Sequence, residues 1–184
     1  MGVIFYNNTI LSETTGNPQN THWRNNLMLG QNSTPMIFSV TTNTNYTSSD
    51  YNGFRLNPGA AMSFRWSSPP FEVAMDPLGP GRQPNLETRD YATLAQYSQA
   101  TGQDRHSVAV DYDVFVNVRH LDAQDVKTVQ NIYKAEDFDF HVKPNSAAVD
   151  RGVALANVTD DFSGKAPDLG ALEVDRPAPH YGPR

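Results

Sequence analysis

The segment Thr21-His22-Trp23-Arg24 places an imidazole and a guanidinium two residues apart. In an extended strand alternate side chains share a face, so His22 and Arg24 point outward while Trp23 turns in. An imidazole exchanges a proton near neutral pH, and a guanidinium stays charged and matches carboxylates. Tyr6 falls on Arg24 if the chain stacks at a repeat of 18 residues, a spacing taken up below. Tyr6, His22 and Arg24 are therefore the candidate catalytic residues, a cluster suited to proton transfer or to holding a sugar. Arg55 and Arg65 would extend it as substrate-binding groups. Trp66 and Tyr51, with Tyr46 and Phe71, offer ring faces on which the apolar C–H face of a pyranose can stack. The competing account is that all of these are ordinary solvated or core residues.

Other chemistries find less support. Asp111-Tyr112-Asp113 and Asp137-Phe138-Asp139 each put two carboxylates on one strand face, where Ca²⁺ could bind. Plain alternation of polar and apolar residues gives the same pattern, so no cofactor and no metal site is expected. The five histidines are scattered without ligand spacing, and the absence of cysteine removes disulfides and thiolate sites. Neither G-x-S-x-G, a P-loop nor a dinucleotide fingerprint occurs. A hydrolase acting on glycosides would need two acids across a groove, and the first 70 residues offer only Glu13 and Asp50.

Composition limits the elements that could position these groups. With 184 residues, 38% hydrophobic and 18% charged, the chain fits one domain rich in Asn, Thr, Ser and turns, closer to a β protein than to a helical bundle. The net charge of −6 is uneven: residues 1 to 70 carry Arg24, Arg55 and Arg65 against Glu13 and Asp50, whereas residues 111 to 184 hold eight basic against thirteen acidic residues. That balance argues against nucleic acid as a partner. Nor is there an apolar run long enough to span a membrane as a helix.

Short apolar runs separated by turn residues predict strands at Val3 to Ile10, Thr21 to Leu29, Met36 to Val40, Tyr51 to Leu56 and Ala61 to Trp66. Residues 67–84 are too rich in Pro and Gly for regular structure. Over 86–102 the spacing of Tyr91, Leu94, Ala95 and Tyr97 predicts a helix capped by Thr88 or Asp90 and ended at Gly102. Residues 106–118 and 137–142 alternate as strands, with a short helix or loop over 121–133.

The pairs Asn7-Asn8 and Asn25-Asn26, 18 residues apart, join these pieces. Helical and leucine-rich repeats would show other periods and a Leu ladder. A parallel β-helix stacks equivalent residues of successive coils, so its Asn side chains form a ladder of amide bonds, and Asn accepts the left-handed backbone such turns need. Asn52 continues the ladder 26 residues after Asn26, with the longer coil accommodated by a loop at Thr41 to Ser48.

The ladder, Ser49-Asp50-Tyr51-Asn52-Gly53-Phe54, Ala100-Thr101-Gly102 with His106-Ser107-Val108, and Asp137 to Pro144 together resemble a known family. Ser146-Ala147-Ala148-Val149-Asp150-Arg151-Gly152 and Pro167-Asp168-Leu169-Gly170-Ala171-Leu172-Glu173 resemble its closing motifs S-P-A-I-D-x-G and P-D-x-G-A-x-E, with Ala147 departing where Pro is usual. The family is the C-terminal part of bacterial right-handed parallel β-helix proteins of the pectate-lyase-like superfamily. The resemblance implies an all-β fold with one short α-helix and long loops. Coils would occupy 1–66, a loop and helix insertion 67–105, final coils and a cap over the open end 106–175, and a tail 176–184. Asp150 and Asp168 would be turn residues, with positive φ at Gly152 and an equivalent turn at Gly170.

Such proteins are secreted, periplasmic or on the cell surface. Some bind an acidic polysaccharide in a groove on one sheet, where a basic residue removes the proton α to a uronate carboxylate and Ca²⁺ or cations neutralise that carboxylate. Two functions are therefore expected as alternatives: a section of a polysaccharide lyase or glycoside hydrolase, or a non-catalytic carbohydrate-binding or cell-surface segment. The opening Met1 to Tyr6 runs into Asn7-Asn8 without a signal peptide, which reads as a fragment preceded by further coils of the same polypeptide.

Overall fold

The structure is a computed structural model that describes residues 2–16, 20–44, 46–70 and 85–178. Nine short strands come first: β1 (Val3–Tyr6), β2 (Thr9–Ile10), β3 (Thr14–Gly16), β4 (Thr21–Arg24), β5 (Leu27–Leu29), β6 (Phe38–Thr41), β7 (Ser48–Asp50), β8 (Gly53–Arg55) and β9 (Phe64–Ser68). Every third strand stacks in parallel on its predecessor, giving sheets β1-β4-β7, β2-β5-β8 and β3-β6-β9. Each coil of chain thus contributes one strand to each sheet. β10 (Glu87–Tyr91) then pairs antiparallel with β9, α1 (Leu94–Thr101) follows, and β11 (Val108–Ala109) returns to the second sheet in parallel with β8. Next, β12 (Phe115–Asn117) and β13 (Asp139–Val142) form an antiparallel pair around the short α2 (Val126–Val129). The fold is mostly β, with parallel strands in stacked sheets and buried Asn and Thr ladders, consistent with a parallel β-helix.

The two residues of each Asn pair have separate roles. Asn7 and Asn25 sit at φ 52° and 58° and make the left-handed turn from first to second strand; Tyr51 takes that position in the third coil at φ 55°. Their neighbours form the ladder. Asn8 Nδ2 donates to Asn26 Oδ1 and Asn26 Nδ2 to Asn52 Oδ1, each at 2.9 Å. The same oxygens accept the backbone N–H groups of Asn8 and Asn26 at 3.1 and 3.0 Å. Asn26 and Asn52 are fully buried, so the ladder satisfies amides that would otherwise each cost about 1–3 kcal/mol. At its end Asn52 donates to Asp104 Oδ1 at 3.0 Å, and Ser107 Oγ accepts the Asn52 N–H at 2.7 Å.

Three sequence expectations shift here. The coil does lengthen after the first repeat, but mostly not at Thr41 to Ser48. Leu27 lies on Thr9 while Phe38 lies on Thr14, so most of the added residues fall in 30–37, between the second and third strands. That loop is held by Glu13 of the first coil, whose carboxylate accepts the N–H groups of Gln31 and Ser33 and the Ser33 hydroxyl. The helix is also shorter than its apolar spacing predicts. Residues 87–91 are strand, because Arg65–Asp90 and Ser67–Thr88 pair across β9 and β10. Thr93 caps the helix by accepting the Gln96 N–H, and Gly102 closes it at φ 73°. Between 106 and 118 the chain is strand only at 108–109 and 115–117, with a 3₁₀ turn at Tyr112–Val114.

Two cores flank the second sheet. Inside the coils, Phe5 stacks on Trp23 at 3.9 Å, and Phe38, Phe54 and Phe64 pack in sequence toward Tyr97 of α1, which stacks on Phe64 at 4.9 Å. Tyr97 is fully buried, so α1 closes that end of the core. Outside the second sheet, Leu27 and Leu29 meet Tyr112, Val114, Phe115, Val142, Ala148 and Leu169. The closing motifs bond along this flank: Gly170 N–H donates to the Asn25 carbonyl, Ala171 N–H to Thr9 Oγ1, and Val153 N–H to Asn25 Oδ1. The positive φ of the first closing turn belongs to Asp150 (55°), whereas Gly152 is required for approach, since a Cβ there would lie 2.8 Å from the Pro167 carbonyl. Gly170 does take positive φ, 98°.

Candidate functional site

The outward face of the first sheet carries two rows set by strand register. Ile4, His22 and Ser48 form one, and Tyr6, Arg24 and Asp50 the other. Trp23 faces inward at 2% exposure, so Tyr6, His22 and Arg24 share one face on neighbouring strands. Their side chains are bonded in place. His22 Nδ1 is 2.8 Å from Ser48 Oγ, and Arg24 donates to Ser48 Oγ at 2.9 Å and to the Trp23 and Ser48 carbonyls at 2.7 and 3.2 Å. Every acceptor of Arg24 is neutral.

Asp50 stands opposite Arg24 in register but is engaged elsewhere. Its Oδ1 accepts the N–H groups of Tyr51 and His106 at 2.9 and 2.8 Å, and its Oδ2 lies 2.7 Å from His106 Nδ1. A carboxylate oxygen only accepts, so Nδ1 carries the proton. The His106 ring stacks on Tyr51 with centroids 4.6 Å apart. Below this layer, Asp104 is 1% exposed. Burial raises its pKa above the ordinary carboxylate range, against the lowering pull of hydrogen bonds from Ser107, Asn52 and Ser49.

Of the remaining predicted residues, Arg55, Arg65 and Trp66 do not join this face. Arg55, on the second sheet, is 8% exposed and held by Asp111 at 3.1 Å, by the Gly30 carbonyl and by Asn32 and Asn57, with its guanidinium over the Tyr112 ring. Arg65, on the third sheet, makes a two-pronged pair with Asp90 at 2.7 Å on both arms. Trp66 is buried in the inner core. Tyr51 is brought to the face by His106, Tyr46 is exposed elsewhere, and Phe71 lies outside the described residues. Asp111 is committed to Arg55 and to its own turn, and Asp139 to His141. Among the described residues no group of three or more His, Asp or Glu side chains has the arrangement of metal ligands.

His106 is the group that sequence reading missed. Its signal was Ser107, which stands 55 residues after Asn52 and takes over the ladder's acceptor role; the intervening antiparallel strand and helix hid the count. Compared with known proteins, the chain matches no family model, no curated protein and no solved structure.

Proposed function

We propose that this chain is a segment of a right-handed parallel β-helix of the pectate-lyase-like kind that binds polysaccharide along the outward face of its first sheet. The observation that carries the reading is the in-register row Tyr6, Arg24, Asp50 with His22 and Ser48 beside it. Strands about 4.8 Å apart present a phenol, a guanidinium and hydrogen-bonding groups at regular intervals to an extended polymer. Among the described residues Arg24 bonds only neutral acceptors, so its charge can meet a sugar carboxylate or hydroxyl. The row belongs to a protein acting outside the cytoplasm, where such polymers occur.

Binding is favoured over hydrolysis by the composition of the face. Its outward positions hold one carboxylate, Asp50, already committed to His106, whereas glycoside hydrolysis uses two. Proton abstraction by His22 or Tyr6 is the catalytic alternative. Further coils stacked before β1 would lengthen the face, a reading supported by Asn8 Oδ1. The equivalent oxygen in each later coil accepts two ladder bonds.

The test is a panel of acidic and neutral polysaccharides, measured by affinity electrophoresis and by ultraviolet absorbance for unsaturated uronates. Retardation that is lost in the His22→Ala, Arg24→Ala double variant, with folding intact, supports the face as the binding surface. Absence of retardation and of absorbance on every polymer would sink the reading, and absorbance growth would move it to a lyase.

A further inference from the structure

Beside the first-sheet face runs a groove of about 410 Å³ between the Tyr51–His106 stack and the closing turn at residues 150–152. Two arginines line it, Arg105 next to His106 and Arg151 next to Asp150, both exposed. Elsewhere Arg55, Arg65 and Arg89 pair with Asp111, Asp90 and Glu87. Among the described residues neither Arg105 nor Arg151 has an ion pair, although two carboxylates are near: Asp50, bonded to His106 beside Arg105, and Asp150, which precedes Arg151 and itself lines the groove. Both of those carboxylates are occupied. Asp50 takes two backbone N–H groups and His106, and Asp150 Oδ1 accepts the N–H groups of Lys165 and Ala166 at 2.6 and 3.1 Å.

We propose that this groove is an oxyanion site that receives the carboxylate or sulfate of an acidic sugar between Arg105 and Arg151, with the ring of that sugar against the Tyr51–His106 stack. Two guanidinium groups are matched to planar or tetrahedral oxyanions through paired N–H donors. Because Asp50 fixes the Nδ1 proton, His106 leaves Nε2 without a partner among the described residues, free to bond a sugar hydroxyl. Gly152 gives the groove its wall. Its missing Cβ lets the 150–152 turn press against Asn25 at the corner of the second coil, and Arg151 of that turn lines the groove. The inference rests on the polysaccharide reading only for what the larger ligand is; the oxyanion site stands or falls with small ligands.

The experiment is calorimetric and NMR titration of the full chain at low ionic strength with glucuronate, glucose 6-sulfate and glucose. Glucuronate binding with no response to the sulfate ester identifies a carboxylate site, and the reverse a sulfate site. Arg105→Ala and Arg151→Ala should each weaken the bound anion roughly tenfold, while Arg119→Ala, which removes an equal charge away from the groove, leaves it unchanged. Equal weakening by all three variants, equal affinity for glucose, or no binding of either anion overturns the proposal. Binding of glucuronate by a protein that ignores every polysaccharide would retain the oxyanion site and remove the polysaccharide reading.

Discussion

Asp104→Asn should stabilise the protein at neutral pH, because it replaces a buried carboxylate at the end of the Asn ladder with the ladder's own residue. Asp104 Oδ1 accepts from Asn52 Nδ2 at 3.0 Å and from Ser107 Oγ at 2.6 Å, and an amide oxygen keeps both bonds. Among the described residues Oδ2 is buried without a well-formed hydrogen bond, as is the hydroxyl of Tyr97, whose pKa is raised first by burial and then by the charge and hydrogen-bonding contact of Asp104. An amide nitrogen in place of Oδ2 turns an orphaned acceptor into a donor, with the Tyr97 oxygen as its candidate acceptor. The backbone presents no obstacle, since Asp104 sits at φ 50°, a conformation Asn adopts readily. Relieving one buried unsatisfied polar atom is worth about 1–3 kcal/mol, more if it is charged. In a protein of this size that raises Tm by about 2–4 °C per kcal/mol.

The pH dependence separates this account from a generic effect. Burial raises the folded-state pKa of Asp104, so the folded state binds its proton more tightly than the unfolded chain does. The penalty of the wild-type carboxylate is therefore complete above the folded pKa and fades as pH falls toward the unfolded value of about 3.9. Urea denaturation at pH 7 and at pH 4 should show the advantage of Asp104→Asn large at the first and reduced at the second. A variant no more stable than wild type at pH 7, or an advantage of the same size at both, would refute the reasoning.

Glu13 is expected to behave in the opposite sense. Burial alone would raise its pKa, but hydrogen bonds from Ser33, Asn57 and the backbone bring it down to about 2 from 4.5. Its contribution is thus complete above pH 4.5 and is lost as pH falls through about 2; discounted for partial exposure, Glu13→Gln should cost about 1–2 kcal/mol at pH 7 and nearly nothing near pH 2, by urea titration. Gly170→Ala places a Cβ 2.8 Å from both Leu27 Cδ1 and Thr9 Oγ1 at φ 98°. It should lower the unfolding free energy from urea titration by about 1–3 kcal/mol, more than Gly102→Ala, whose Cβ meets only the Arg105 side chain at 3.5 Å.

The pairing of first and second strands was legible in the sequence because the doubled Asn marks a turn and a ladder position at once. From it follow the inward Trp23, the stacking of Tyr6 on Arg24 and the match of Asn52 to Asn26. What the pattern did not disclose was what lies outside each sheet. Alternation in Gly53-Phe54-Arg55 separates two faces of a strand, but both faces of the second sheet are covered, so Arg55 is drawn into a buried network with Asp111 and Asn57. The helix over 86–102 was misjudged for a related reason. Thr88 and Asp90 find partners across β9 that a local reading of apolar spacing does not contain. His106 stayed hidden because Asp50 and His106 are 56 residues apart and meet only when β11 rejoins the second sheet.

The contrast between sheet faces also says where chemistry can reside. The second sheet's outer face is closed by Tyr112, Val114, Phe115, Val142, Ala148 and Leu169, and acids of the closing segment are used in turns: Asp168 accepts the N–H groups of Asp150 and Val174, and Glu173 that of Asp168. Carboxylates bound this way by main-chain donors hold the chain's geometry and are poor candidates for proton transfer. The first sheet's outer face has a different economy of bonds. His22 and Arg24 converge on a single hydroxyl, Ser48 Oγ, and Asp50 is withdrawn to His106, which leaves the Arg24 charge without a counterpart among the described residues. Side chains already fixed by neutral partners lose little rotamer freedom when a ligand arrives. An arginine held in this way can meet an external polar or anionic group with little reordering, which supports the proposal that the face as a whole, more than any single residue on it, binds the ligand.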